Sequence, residues 1–157
     1  GKPYAIALAG ILNSYSADHL SEVSGALLVT VNNIISGLYF QHPDLRELFR
    51  PIFRLWPVAA QVLITKMPNR SDILMPYLNY LLKTGKEGEI EMLTRTILRK
   101  NVNDPVGLWF SGIVYLNDPD RKKLGYQRMK LSLIMGIQDL MPVPMNLIKI
   151  LKEESVP

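Results

Sequence analysis

The sequence predicts an all-α protein in which antiparallel helical hairpins stack into a short solenoid of about eight or nine helices. Three observations carry this. First, a pattern recurs: Leu74, Tyr77, Leu78, Leu81, Gly85, Ile90, Leu93, Thr94 and Ile97 are answered by Trp109, Gly112, Ile113, Leu116, Asp120, Gly125, Arg128, Met129 and Ser132. Leu74 to Trp109, Gly85 to Asp120 and Ile90 to Gly125 are each 35 residues apart, a period typical of stacked helix pairs. Second, Asn103-Asp104-Pro105 and Asn117-Asp118-Pro119 are matched stop-and-restart signals, each offering an Asp cap and a Pro for the first helical position. Third, apolar residues elsewhere recur at three- and four-residue spacing.

Taken in order, residues 4–14 read as a short apolar helix, and Ser16 or Asp18 caps the next, because a short oxygen-bearing side chain satisfies orphan N–H groups. That next helix carries Leu20, Val23, Leu27, Leu28, Val31, Ile34, Ile35 and Leu38. Val29-Thr30-Val31 permits a strand, but the length and spacing favour a helix. Its strongly apolar surface needs cover, from the array or from a second copy. His42-Pro43-Asp44 breaks the chain. Residues 44–55 read as a helix with Leu45, Leu48, Phe49 and Ile52 inward; Trp56-Pro57 punctuates it, and a further turn or two reaches Lys66. After the loop Met67-Pro68-Asn69-Arg70, capped by Ser71 or Asp72, helices are expected over roughly 72–84, 87–100, 105–117 and 119–136. Gly85 suits a helix end. Pro142 and Pro144 frame a loop before a terminal helix at 145–153. The organisation expected is one domain, 1–157: apolar helices over 1–66, two degenerate repeats over 70–137 and a terminal segment over 142–157. Within a repeat, Trp109 is expected to pack on small residues such as Gly125, with Gly112 and Gly125 letting the helix axes approach.

The composition fits a folded domain: 48% hydrophobic and 20% charged, with a formal charge of +4. That excess favours anionic partners but is too small, and too scattered, to imply nucleic acid. The absence of cysteine excludes disulfides and thiolate sites and is compatible with a periplasmic or a cytoplasmic location. Tyr4–Leu12 is too short to span a bilayer, and Val23–Phe40 holds Ser24, Thr30, Asn32, Asn33 and Ser36, so a buried soluble helix is the better reading. The start Gly1-Lys2-Pro3, without Met or a visible signal peptide, reads as that of an excised fragment.

The repeat residues resemble tetratricopeptide-like repeats, in degenerate form: Ile90 stands where a small alanine is usual, and Asp120 where a turn glycine is. A narrower resemblance rests on Asp104-Pro105-Val106-Gly107-Leu108-Trp109-Phe110-Ser111-Gly112, Asp118-Pro119, Gly125-Tyr126-Gln127-Arg128-Met129-Lys130 and Met135-Gly136-Ile137-Gln138-Asp139-Leu140-Met141-Pro142-Val143, with Leu48-Phe49-Arg50-Pro51. These stretches are similar to the C-terminal soluble region of bacterial O-antigen ligase-type polymerases, above all the protein O-oligosaccharyltransferase branch. The resemblance implies a periplasmic domain of an inner-membrane protein, non-catalytic by itself, whose parent is a glycosyltransferase. Its partners would be an acceptor protein or peptide, or a lipid-linked oligosaccharide, or the domain would brace the enzyme. It brings no catalytic residue and no cofactor. The alternative is a stand-alone helical-repeat adaptor that binds a peptide or protein partner.

Few constellations could carry chemistry. His19 and His42 have no metal-ligand spacing, so no metal is expected. Ser16, Asp18 and His19 read as a capping cluster rather than a triad, and Glu87, Glu89 and Glu91 as charges that suit a helix start. Arg46, Arg50 and Arg54 recur every four residues near Trp56, a stripe able to hold the phosphates of a glycan lipid, against a solvated face paired to Asp44 and Glu47. Arg121-Lys122-Lys123 with Arg128 and Lys130 form a second basic patch, read as a solvated face. Tyr80 and Phe110, off the main packing rows, are candidates to line a groove for a peptide or sugar. The methionines read as fillers of irregular helix contacts.

Overall fold

Side-chain spacing becomes helix in almost every segment. The computed structural model describes Pro3 and residues 25–153, and the chain is all-α, with no strand among the described residues. The helix expected over 4–14, the caps Ser16 and Asp18, and His19 lie outside the described residues. Compact packing divides the chain into two units, the first ending at Tyr77 and the second beginning at Leu78.

In the first unit, α1 (Gly25–Gln41) includes Val29-Thr30-Val31, so the β-branched run is helical. A 3-10 turn (Pro43–Leu45), α2 (Arg50–Phe53), α3 (Trp56–Lys66) and a second 3-10 turn (Ser71–Leu74) follow, leading into α4 (Met75–Lys83). The continuous helix expected over 44–55 is therefore broken. Pro51 is the physical reason. Inside a helix it would lack an N–H and would collide with the carbonyl of Glu47. The backbone instead leaves helical geometry at Phe49 (φ −103°, ψ 15°) and restarts with Pro51 in the first turn of α2.

α3 packs along α1, burying Leu28, Ile35, Ala59, Ala60 and Leu63. One buried polar residue sits at their junction. Asn32 accepts a hydrogen bond from Trp56 Nε1 at 2.8 Å and donates Nδ2 to the Ile73 carbonyl at 3.0 Å. Aromatic rings gather beside it: Tyr39 meets Phe53 edge-on at 5.5 Å, and Trp56 meets Tyr77 at 5.4 Å.

In the second unit, α4 stops at Gly85, whose φ of +71° is a left-handed conformation, while Lys86 N–H returns to the Leu81 carbonyl at 2.9 Å. α5 (Glu87–Lys100), α6 (Pro105–Leu116), α7 (Lys122–Ile134), α8 (Ile137–Leu140) and α9 (Met145–Glu153) complete it. Asp104 caps α6, its Oδ1 accepting from the N–H groups of Val106 and Gly107 at 2.9 and 3.0 Å. Asp118 does not cap α7. Its Oδ1 takes the Asp120 N–H at 3.0 Å in a turn, and the helix begins at Lys122 rather than near 119.

α6 lies between α5 and α7 and is buried along nearly its whole length. It runs antiparallel to both. Asn117 at its end donates to Glu87 at the start of α5 (2.7 Å), while Gly107 near its start lies against Ile97 and Leu98 near the end of α5. Toward α7, Ser132 Oγ donates to the Pro105 carbonyl at 2.6 Å and Arg128 donates to Ser111 Oγ at 3.0 Å. The close approach of the α6 and α7 axes expected at Gly112 and Gly125 is what forms. The nearest neighbours of Gly125 are the α6 backbone at Gly112, Tyr115 and Leu116, because both positions lack a side chain and the main chains meet directly. No helix among the described residues is long and apolar enough to cross a membrane.

Candidate functional site

Arg46, Arg50 and Arg54 do not form one helical stripe, since the break at residues 46–49 removes the face they were to share. Arg46 turns inward. Its Nε donates to the Tyr39 carbonyl at 2.9 Å, and the guanidinium lies 4.0 Å from the Tyr39 ring centroid. Arg50 closes on Glu47, with Nη2 at 2.7 and 2.6 Å from the two carboxylate oxygens. Arg54 is exposed. Trp56 is fully buried, with its indole N–H committed to Asn32, so it has no surface to offer a ligand. Phe110, proposed for a groove, is likewise fully buried, since α6 is covered on both sides. Tyr80 is half-buried, with Lys86 Nζ 5.8 Å from its ring.

A concave site does exist, from residues the repeat pattern did not single out together. A cavity of about 320 Å³ opens where α5, α6 and α7 meet. α5 and its exit supply Arg95, Leu98, Arg99 and Val102; α6 supplies Tyr115; α7 supplies Arg128. Arg95, Leu98 and Arg99 fall at helical i, i+3 and i+4 spacing, so one stripe of α5 forms a wall, which Val102 extends just past the helix end.

The electrostatics of the site are set by one acidic residue, and its charge is already engaged. Glu91 takes Arg121 Nη1 at 2.6 Å, and Arg121 Nε reaches Asp118 at 2.8 Å. The hydrogen bond from Arg121 holds the Glu91 carboxyl below its ordinary range, and a hydrogen bond from the same guanidinium does so for Asp118. Arg95 approaches Glu91 only to 3.5 Å. Arg99 makes no hydrogen bond or ion pair among the described residues. Arg128 lies 4.6 Å and Arg121 4.1 Å from the Tyr115 ring centroid, which fixes both guanidiniums in place. The wall thus presents three arginines against one neutralised carboxylate. The Thr94 hydroxyl donates to the Ile90 carbonyl at 2.8 Å, and the Ser111 hydroxyl to Gly107 at 2.7 Å, so both hydroxyls near the groove spend their protons on the backbone.

The sequence signal for this groove was weak. Arg128 was legible in a basic patch, but Arg95 and Arg99 look like the solvated face of an amphipathic helix until Tyr115 and Arg128 are seen opposite them. Among the described residues no cluster of His, Asp or Glu suits a metal ion. The chain matches no protein-family model, no curated protein and no solved structure at a significant level.

Proposed function

We propose that this chain is a non-catalytic accessory domain of a membrane glycan-transfer enzyme of the O-antigen ligase or protein O-oligosaccharyltransferase type. It presents an acceptor protein, or engages the glycan lipid, beside a catalytic centre held elsewhere, on the periplasmic side. The observation that carries a binding role is the groove of α5, α6 and α7, a preformed concavity of about 320 Å³, at the small end of ligand sites. The link to glycan transfer comes from the resemblance of residues 104–112, 118–119, 125–130 and 135–143. Those residues fall largely on α6, α7 and α8, and α6 and α7 carry Tyr115 and Arg128 into the groove.

The test compares a longer protein carrying this segment with a version that ends before it, in a glycan-transfer assay on membranes at matched expression. Loss of transfer with a folded remainder is the expected result. Unchanged transfer favours the second reading, a stand-alone adaptor for a peptide or protein partner, which the same groove supports equally well.

A further inference from the structure

We infer that the groove of α5, α6 and α7 recognises an acidic, apolar-flanked peptide segment in extended conformation; this deepens the binding role proposed above and rests on it. The charge argues for an acidic ligand. Arg95, Arg99 and Arg128 face a space whose single carboxylate, Glu91, is already held by Arg121. Arg99 makes no hydrogen bond or ion pair among the described residues and Arg95 meets Glu91 only at 3.5 Å, so both have donors left for a further oxyanion, and Arg is the side chain best shaped to clamp a carboxylate.

The wall argues for a peptide rather than a sugar. Leu98 lies between the two arginines on α5, and Val102, just past the helix end, is 71% exposed. The Thr94 and Ser111 hydroxyls donate to backbone carbonyls, which leaves a polyol few partners. Spacing agrees as well. Arg95 and Arg99 are one helical turn apart, with Cβ atoms about 5–6 Å from each other. Alternate side chains of an extended strand are separated by about 6.6 Å, so two acidic residues at i and i+2 reach both arginines. The intervening apolar residues then point away from α5, toward the side of the groove that Tyr115 lines. This is recognition of an acidic motif by clustered arginines, on a wall that supplies apolar contact as well.

The experiment uses the whole chain and a fluorescein-labelled peptide of alternating aspartate and leucine, read by anisotropy at low salt. The partner arm uses the same peptide with asparagine for aspartate. R95Q/R99Q should weaken binding roughly tenfold, since each is an exposed charged contact, while K149Q/K152Q, which removes equal charge from α9, should change it less than about twofold. The asparagine peptide should bind at least roughly tenfold more weakly than the aspartate peptide. Arg95 and Arg99 are exposed, so the variant is expected to keep its helical circular dichroism. Four outcomes overturn the inference: no binding by the unaltered chain, equal loss in both variants, no loss in R95Q/R99Q, or displacement by inorganic pyrophosphate at concentrations matching the peptide, which marks a phosphate site. Failure here leaves the accessory role intact if deleting the segment still abolishes transfer; failure of the deletion assay with the peptide result intact points to the adaptor.

Discussion

Gly112 on α6 and Gly125 on α7 are reciprocal. A Cβ built on Gly112 would stand 2.9 Å from the Gly125 carbonyl oxygen, and one built on Gly125 would stand 2.8 Å from the Gly112 carbonyl oxygen. The antiparallel pair closes to main-chain contact here, and the same two helices are joined by the bonds from Ser132 to Pro105 and from Arg128 to Ser111.

Replacing Gly125 by alanine should therefore destabilise the protein by roughly 1–3 kcal/mol, the range for overpacking, despite the better helix propensity of alanine. Gly112→Ala should cost a similar amount, because its Cβ would meet the buried Met129 Cγ at 2.6 Å and the Gly125 carbonyl oxygen at 2.9 Å. Gly88→Ala on α5 meets nothing within 4 Å and should stabilise by up to about 1 kcal/mol. Urea unfolding followed by circular dichroism compares the three; a Gly125→Ala protein as stable as the parent contradicts the close approach.

Asn32 organises the first unit. Asn32→Ala would leave the indole N–H of Trp56 and the Ile73 carbonyl without the partners they now have, at about 1–3 kcal/mol for each buried group left unsatisfied. The expected result is a lower urea midpoint together with altered tryptophan emission. Unchanged stability would show that the amide is dispensable.

The cap of α6 offers a finer test. Asp104→Ala should lose about 1 kcal/mol, in the range of measured N-cap substitutions, and Asp104→Asn should retain most of it, because an amide oxygen can still accept from Val106 and Gly107. Equal loss in both would assign the stabilisation to charge rather than to capping.

The carboxylates of Glu91 and Asp118 both have lowered pKa values, with hydrogen bonds from Arg121 as the leading cause. Their folded pKa values lie below the unfolded ones. The stability they add is thus complete above about pH 5 and is lost as pH falls through the carboxylate range near 4 and below. Unfolding midpoints measured across that window should fall with acid, and Arg121→Gln should flatten the slope. An identical slope in the variant would contradict the network.

How much of this was legible in the sequence differs by element. Asp104-Pro105 and Gly85 announced their helix ends because capping and left-handed geometry are local requirements. Gly112 and Gly125 are legible together as the small residues that let two helix axes approach, but the direct meeting of their main chains is not, since that register is a property of two helices. The 44–55 segment misled because its apolar spacing is helical while Pro51 forbids a continuous helix. Trp56 looked available for a ligand beside three arginines, yet Asn32, 24 residues earlier, buries its polar edge. The arginine groove was least legible of all. It joins Arg95 and Arg99 to Arg128 across two helix turns-about, and only the antiparallel register of α5, α6 and α7 brings them to one cavity.

The most direct test of the binding-domain account is a steady-state glycan-transfer assay on membranes, with acceptor concentration varied, comparing R95Q/R99Q with the unaltered sequence in the longer protein. The account predicts a KM for the acceptor raised roughly tenfold with kcat unchanged, because the groove holds the acceptor and takes no part in the chemical step. A fall in kcat at unchanged KM, or no change in either constant, would contradict it.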